Sequence, residues 1–166
     1  MNTKQSMRLC AFWITIGLCL LLSLPAIAHE RRDGVTPSFN IIVGHRVEPA
    51  FRQEPNAFDF IVNNAVDDSP ANDAVVELEV YVIRLETEAF DGKIFKKRKL
   101  TGKLRRDFSM SNRYNISYMP KWAGTYGFII EGTIDGEPIS EKFVCGQGTL
   151  NPEGDAFGCI ELIQQI

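Results

Sequence analysis

The segment VVELEVYVIRLE, residues 75–86, alternates apolar and polar side chains with a period of two. One face holds Val76, Leu78, Val80 and Val82, and the other holds Glu77 and Glu79. This alternation is typical of a β-strand with one face against a core. The same period recurs in residues 39–46, 56–63, 93–100, 114–119, 124–132 and 138–145, which Gly, Pro, Asn and Asp separate. Short strands at such regular spacing predict an all-β fold, an antiparallel sandwich.

The first 28 residues have the parts of a signal peptide. Lys4 and Arg8 precede an apolar run at 9–25, and AIA, ending at Ala28, is a small-x-small cleavage site. An uncleaved membrane anchor is the alternative, but the run is short for a bilayer span and polar residues follow it closely. We therefore expect export, with a mature chain that begins at His29.

The remaining residues suffice for one domain with its own core. We divide them into a flexible N-terminal leader at 29–38, a sandwich at 39–144 and a C-terminal segment at 145–166. Cys145 and Cys159 are the only cysteines after the signal peptide. In an oxidising compartment this pair predicts one disulfide, which closes the C-terminal segment. The final residues, CIELIQQI, fit either a last strand or a short helix.

The segment YMPKWAGTYGFII, residues 118–130, ends one strand at Pro120, turns at Gly124 and opens the next strand at Tyr126. In immunoglobulin-like sandwiches, a tyrosine near the start of strand F packs inward and hydrogen-bonds back to the chain. Tyr126 occupies that place, although any inward-facing aromatic residue would give the same pattern. The predicted fold is therefore an immunoglobulin-like β-sandwich of about seven strands, preceded by a signal peptide.

Two blocks carry a resemblance to known proteins. They are NIIVGHRVEPAFRQEPNAFDFIV (40–62) and RYNISYMPKWAGTYGFIIEGTIDGEPISEKFVCGQGTL (113–150). Together they resemble an uncharacterised bacterial family of exported immunoglobulin-like proteins. The second block is also similar to YtkA-like and CopC-like domains, which are exported sandwiches linked with copper handling. The resemblance spans residues 39–150; it implies the fold and transfers no catalytic residue.

The two histidines of the chain, His29 and His45, suggest a copper site near the start of the mature protein. A terminal amine and its own imidazole, joined by a second imidazole, give the nitrogen ligands that suit Cu(II). Met110 and Met119 are candidate soft ligands for Cu(I). No H-x-H or M-x-x-M spacing supports these ligands. Copper is therefore the alternative, and the main expectation is a protein without a cofactor.

The segment VEPAFRQEPN, residues 47–56, contains the steps Glu48-Pro49 and Glu54-Pro55 and ends at Asn56. Proline favours an extended conformation in the residue before it and removes an amide donor. We therefore predict a structural crossover between two strands, with Asn56 in a turn. A hard-cation site at Glu48, Glu54 and Asn56 is the alternative, but Ca²⁺ needs more oxygen ligands than this segment offers.

The run KIFKKRKLTGKLRR, residues 93–106, concentrates positive charge. It holds Lys93, Lys96, Lys97, Arg98, Lys99, Lys103, Arg105 and Arg106, and no acid. Without Lys4 and Arg8, the 18 basic residues of the chain become 16 against 21 acidic residues, a formal charge of −5, so half of the mature basic residues lie in this run. Such a patch could steer the protein toward lipid headgroups, another anionic surface or an acidic protein. The alternative is a solvated hairpin whose charge discourages edge pairing.

Sequence signatures of an enzyme are missing: the chain has no G-x-S-x-G, no H-E-x-x-H and no phosphate-binding glycine loop. An exported, acidic protein is also a poor nucleic-acid binder. We therefore expect a periplasmic or extracellular, non-enzymatic binding or accessory module without a transmembrane span after signal cleavage. A copper-binding protein using His29 and His45 is the alternative. A histidine-brace copper enzyme, which needs the same ligands and an open substrate face, ranks third.

Overall fold

Nine β-strands form the regular structure of the described residues, 29–87, 92–146 and 157–162, in this computed structural model. The strands are β1 (His29–Arg32), β2 (Phe39–His45), β3 (Asn56–Asn64), β4 (Val76–Leu85), β5 (Ile94–Lys99), β6 (Arg105–Arg106), β7 (Arg113–Tyr118), β8 (Tyr126–Ile134) and β9 (Glu137–Val144). The predicted signal peptide, residues 88–91 of the β4–β5 turn and residues 147–156 lie outside the described residues.

The strands form two antiparallel sheets, one with the order β1-β2-β3-β7-β6 and the other with the order β5-β4-β8-β9. Strands β2, β3, β7 and β6 follow the A-B-E-D order of an immunoglobulin sheet, and β4, β8 and β9 follow C-F-G, with β5 added at the edge. The prediction of an antiparallel immunoglobulin-like sandwich is therefore confirmed. The structure adds β1 and β6 to the seven predicted strands.

The core lies between the sheets, where the period-two pattern places it. Phe58 and Phe60 of β3 and Phe128 and Ile130 of β8 are fully buried. Val80 of β4 joins them, whereas the alternating glutamates of that strand are exposed. Burying each such large apolar side chain contributes roughly 1.5–3 kcal/mol, so facing aromatic residues supply much of the stability.

Gly132 allows β8 to pair on both sides. Its φ of +154° is a backbone conformation that other residues rarely adopt. A Cβ at this position would lie 2.0 Å from the carbonyl oxygen of Glu77 on β4. A residue with a side chain would therefore push β4 and β8 apart.

The segment predicted as a flexible leader begins instead with an ordered strand, because His29–Arg32 pairs with β2. Glu30 is 1% exposed and accepts hydrogen bonds from Nε and Nη2 of Arg32 at 2.9 and 2.8 Å. Arg32 also pairs with Glu141 of β9, and its guanidinium lies 4.0 Å from the Phe143 ring centroid. Charged side chains thus connect the β1 and β9 edges of the two sheets, which an apolar pattern does not reveal.

The C-terminal segment closes one end of the core. The predicted Cys145–Cys159 disulfide is confirmed, with a Cα–Cα distance of 4.9 Å. It secures a segment whose Phe157 and Ile160 are buried, and Ile160 exchanges backbone hydrogen bonds with Gly124 at 2.8 and 3.2 Å. Residues 157–162 contain isolated bridges and no helix, while 163–166 lie outside the described residues. Over the described ranges, no helix has the length and apolarity needed to cross a membrane.

Candidate functional site

The basic run 93–106 contributes to both sheets. Residues Ile94–Lys99 form β5, the edge of the four-stranded sheet, and Arg105–Arg106 form β6, the edge of the five-stranded sheet. The connection between them crosses from one sheet to the other. The run is therefore two separate basic edges and does not form the single hairpin considered from the sequence.

The lysines on the outer face of β5 have acidic partners. Lys99 forms an ion pair with Glu79 of β4, and Nζ of Lys97 lies 3.5 Å from the carboxylate of Glu131 on β8. Nζ of Lys97 also lies 4.0 Å from the ring centroid of Tyr81. These contacts place positive charge beside negative charge, so this face of β5 is largely neutralised.

The cations on the inner face of β5 lack such partners. Lys96 and Arg98 are the register partners of Arg84 and Val82 on β4, so all four side chains share one face of the sheet. Among the described residues, no carboxylate forms an ion pair with Arg84, Lys96 or Arg98. Positive charge is therefore concentrated on this face of β4 and β5.

These cations line a cavity of about 190 Å³, the Arg84 pocket. Lys96 and Arg98 lie along its β5 side, residues 118–122 form the opposite wall, and Val82 and Tyr126 also line it. No acidic residue is among the described residues of the lining. Apolar and cationic surfaces together suit a ligand that has both an anionic group and an apolar part.

Arg84 lies among three aromatic rings. Its Cζ atom is 4.7 Å from the ring centroid of Phe95, 5.2 Å from that of Trp122 and 5.6 Å from that of Tyr126. Stacking on aromatic faces holds a guanidinium in place without neutralising it. Nη2 donates a hydrogen bond to the carbonyl of Ala123 at 3.2 Å, while Nε is buried and has no hydrogen-bond partner among the described residues. The charge of Arg84 is thus positioned but not balanced.

Tyr126 supports the wall of the pocket in the manner predicted for a strand-F tyrosine. Its ring is buried, and its hydroxyl accepts a long hydrogen bond, 3.4 Å, from the backbone amide of Trp122. Burial raises the pKa of this hydroxyl, and the charges of Arg84 and Arg98 act in the opposite direction. The Tyr126 amide in turn donates to Sγ of Cys145 at 3.2 Å. Tyr126 therefore connects the wall of the Arg84 pocket to the disulfide.

The structure does not bring the two histidines together. His29 is the register partner of Gly44, so it lies on the opposite face of the sheet from His45. Nε2 of His29 is 2.8 Å from Oδ2 of Asp59, a fully buried carboxylate that also pairs with Arg113. Although burial opposes ionisation of Asp59, these hydrogen bonds outweigh it and lower the pKa.

His45 lies in the core. Its ring centroid is 5.4 Å from that of Phe128 and 5.2 Å from that of Phe157, and its Nδ1 is 2.6 Å from the Tyr118 hydroxyl. Burial lowers the pKa of His45 to about 3. In the described part of the chain, no three His, Cys, Asp or Glu side chains form a group that could hold a metal ion. Copper binding stays a prediction from the sequence.

The two methionines lie at opposite ends of β7. Met110 precedes the strand and is 40% exposed, with Sδ 3.8 Å from Nη1 of Arg113. Met119 follows the strand, is 50% exposed and lines the Arg84 pocket. The strand between them separates these two candidate copper ligands, and Met119 instead contributes apolar surface to the pocket.

The Glu-Pro segment has structural contacts. Oδ1 of Asn56 accepts from the amides of Val47 and Ala57 at 3.1 and 2.8 Å, and its Nδ2 donates to the Val47 carbonyl at 2.9 Å. Glu48, which precedes a cis peptide bond to Pro49, accepts from the Gly158 amide at 3.2 Å. These side chains bond to different backbone segments, and Asn56 is the first residue of β3 and not part of a turn.

The remaining residues of the basic run differ in their surroundings. Lys93 pairs with Glu86 at 3.4 Å, and Lys103 and Arg105 are exposed. Arg106 donates to the carbonyl of Ala74 at 2.9 Å and to the hydroxyl of Tyr114 at 2.8 Å. Arg106 therefore has a structural role. Lys103 and Arg105 have no ion pair among the described residues and line a second cavity, which Asp107 also lines, whereas the described lining around Arg84, Lys96 and Arg98 contains no acid.

Arg84, Phe95 and Trp122 were not singled out from the sequence. The sequence does carry a signal for Arg84, because the inward-facing positions of β4, at Val80 and Val82, continue to an arginine. A cation at the end of an apolar face is unusual for a strand that only packs against a core. Phe95 and Trp122, whose rings surround Arg84, lie in other segments, and the sequence pattern does not indicate that they contact it.

Known proteins do not identify this chain further. It matches none of the protein-family models to which it was compared, and no curated protein matches it significantly. The resemblance to exported copper-handling sandwiches therefore stays a prediction.

Proposed function

We propose that this protein is an exported, non-enzymatic binding module that recognises an anionic partner through the Arg84 pocket. The observation that carries the proposal is the state of Arg84, whose guanidinium is stacked on aromatic rings and whose buried Nε has no hydrogen bond within the part of the chain that the structure describes. No described carboxylate pairs with it. A buried donor without a partner costs roughly 1–3 kcal/mol. Features that cost stability in this way are expected at functional sites.

The contrast between the two faces of β5 supports the same function. Lys97 and Lys99, on the outer face, have glutamate partners, whereas Lys96 and Arg98, on the inner face, have none among the described residues. A strand whose charge served only solubility would have no reason to differ between its faces. The unpaired face borders a cavity, where a ligand can supply the missing negative charge.

Two features support the exported location. Residues 1–28 have the sequence of a signal peptide, and Cys145 and Cys159 form a disulfide. Disulfides persist mainly in oxidising compartments. N-terminal sequencing of the protein recovered from its native source tests the signal peptide: a chain that begins at His29 supports cleavage and export, and an intact N-terminus contradicts cleavage.

Fluorescence of Trp122 tests the binding function. Trp13 lies in the predicted signal peptide, so a chain of residues 29–166 contains Trp122 as its single tryptophan. We expect its emission to change on titration with inorganic phosphate, tetraglutamate or dihexanoyl-phosphatidylglycerol, because each brings an anion to Arg84. The proposal fails if none of these anions changes the emission.

Neighbouring lysines provide the matched control. Lys96→Gln and Lys97→Gln remove the same charge from adjacent positions of β5, but only the first position faces the pocket. We expect Lys96→Gln to weaken anion binding severalfold and Lys97→Gln to leave it nearly unchanged. Equal effects would indicate attraction to the charge of the whole domain and would contradict a site at Arg84.

A further inference from the structure

Half-exposed apolar side chains accompany the cations at the Arg84 pocket. Phe95 is 47% exposed, Trp122 is 43% exposed and Met119 is 50% exposed. Nζ of Lys96 lies 4.8 Å from the Trp122 ring centroid. Aromatic side chains with a polar tip, next to lysine and arginine, are the combination that the headgroup region of a bilayer favours.

Two features of the edge strand β5 disfavour hydrogen-bonded pairing with an additional strand. Its register with β4 shifts between Arg84 and Leu85, so Phe95 is an extra residue at a β-bulge. Bulges and lysines on an edge strand both hinder pairing with an added strand. A protein partner that extends the sheet is therefore disfavoured, and a ligand must be recognised through the side chains of the pocket.

The pocket suits a phosphate group next to an apolar surface. The guanidinium of Arg84, whose Nη2 already donates to the Ala123 carbonyl, keeps further N–H donors for phosphate oxygens, and Lys96 and Arg98 add charge from the same face of the sheet. The cavity, about 190 Å³, can accept a headgroup, while Trp122 and Met119 provide apolar contacts at its wall. A free phosphate would leave those apolar side chains without a role.

We propose that the anionic partner is a membrane surface, with the phosphate of an anionic phospholipid bound at Arg84 and the side chains of Phe95, Trp122 and Met119 in the headgroup region. This inference rests on the proposed function and specifies its ligand. The outer-face lysines, Lys97 and Lys99, are already paired with glutamates. Lys96 and Arg98 would therefore turn toward the bilayer. This local positive charge can attract an anionic membrane although the mature protein carries a net negative charge.

Vesicle flotation with the disulfide-intact chain 29–166 tests the inference. We expect flotation with vesicles that contain phosphatidylglycerol, little flotation with phosphatidylcholine vesicles, and a blue shift of Trp122 emission only with the former. Binding should weaken as salt rises, because attraction between exposed charges is screened beyond about 8 Å at 0.15 M salt. Absence of flotation with phosphatidylglycerol vesicles at low salt would overturn the inference.

Variants locate the contact surface. Loss of one cation at an anionic membrane weakens partition about fivefold, which is the effect expected for Lys96→Gln, whereas Lys97→Gln should change it less than twofold. Trp122→Ala should reduce flotation, and Phe108→Ala, at a fully exposed aromatic residue in the β6–β7 turn, should not. If Phe108→Ala abolishes flotation and Trp122→Ala does not, another surface binds the vesicle and the inference is wrong.

Soluble probes separate this inference from the function on which it rests. If tetraglutamate or inorganic phosphate changes the Trp122 emission but vesicles do not bind, the pocket recognises anions and the lipid assignment is overturned. If neither soluble anions nor vesicles bind, both the lipid assignment and the proposed function are wrong. Tighter binding of tetraglutamate than of dihexanoyl-phosphatidylglycerol would assign the pocket to an acidic protein segment.

Discussion

Arg113 and Asp59 are 54 positions apart in the sequence, yet Nε of Arg113 lies 2.8 and 2.9 Å from the two carboxylate oxygens of Asp59. They lie diagonally across two neighbouring strands, β7 and β3, and His29 of β1 reaches the same carboxylate. One buried acid therefore connects three strands of the five-stranded sheet, including the strand that would begin the mature chain.

The first prediction concerns this carboxylate. We expect Asp59→Asn to lower the free energy of unfolding by about 3 kcal/mol, because it leaves Arg113 without its buried counter-charge and changes the hydrogen-bond partner of His29. The control is Asp33→Asn, since Asp33 is exposed and pairs only with Arg31 in the described structure. Its effect should stay within about 1 kcal/mol. Urea unfolding of both variants measures this, and similar small losses would show that Asp59 is not a structural anchor.

The second prediction is a pH dependence from Glu48. Burial raises the pKa of Glu48 from 4.5 to about 7, with the Gly158 amide acting in the opposite direction. Between these values the folded chain holds a proton that the unfolded chain releases. The contribution of Glu48 to stability is therefore fully present below pH 4.5 and is lost as the pH rises through 7.

Glu48→Gln should remove this loss. We expect the variant to be more stable than the wild type at about pH 8, by on the order of 1 kcal/mol because partial exposure reduces the effect, and to differ little at about pH 4. Comparing the two proteins at each pH cancels the opposite trend from His45, whose pKa is lowered to about 3. Glu54→Gln, at an exposed position, is the control. An equal gain at both pH values would contradict the raised pKa.

The third prediction concerns the disulfide. Cys145 and Cys159 are 14 positions apart, and a cross-link that closes a loop of this length is expected to contribute about 3 kcal/mol through chain entropy. Reductant should lower the thermal midpoint of the wild type and leave that of a Cys145→Ala/Cys159→Ala variant unchanged. Hydrogen exchange should show that the Gly124–Ile160 bonds are lost first. A reduced wild type as stable as the oxidised protein would contradict this role.

The fourth prediction uses two glycines with positive φ. Gly132→Ala should cost about 3 kcal/mol or more, because its Cβ would lie 2.0 Å from the Glu77 carbonyl oxygen. Gly34→Ala has a φ of +61° and no atom within 4 Å of the new Cβ, so only backbone strain of about 1 kcal/mol is expected. Thermal unfolding of both variants measures the difference. Equal costs would mean that strand spacing near Gly132 adapts.

The fifth prediction links the pocket to stability. Lys96→Gln should raise the thermal midpoint at low salt, since it relieves repulsion with Arg84 and Arg98, whereas Lys97→Gln should lower it by breaking the contact with Glu131. Each effect should stay within about 1 kcal/mol and shrink at high salt. A higher midpoint for Lys96→Gln together with a lower midpoint for Lys97→Gln would indicate that the unpaired cations of the pocket lower the stability of the protein, as expected for a binding site. Two shifts of the same sign would contradict the charge contrast between the faces of β5.

Six of the seven predicted strands could be placed closely because their apolar alternation reports burial directly, whereas β5 is exposed along its whole length. The segment expected at 56–63 is β3, Asn56–Asn64, and the segment expected at 138–145 is β9, Glu137–Val144. The two missed strands, β1 and β6, have the sequences HERR and RR. Their order comes from ion pairs and edge pairing with other strands, and a charged segment carries no periodic signal of such partners.

The sequence by itself determined the sandwich, its disulfide and the inward place of Tyr126, because period-two burial, a single mature cysteine pair and a turn before a strand are all local patterns. It also showed that basic residues concentrate at 93–106. Only the tertiary structure decided which cations are neutralised. Lys97 and Lys99 meet glutamates of neighbouring strands, whereas Lys96 and Arg98 meet Arg84 beside Trp122. Likewise, alternation along β2 separated His45 from His29, because neighbours across a sheet are set by strand order and register, which no single segment encodes.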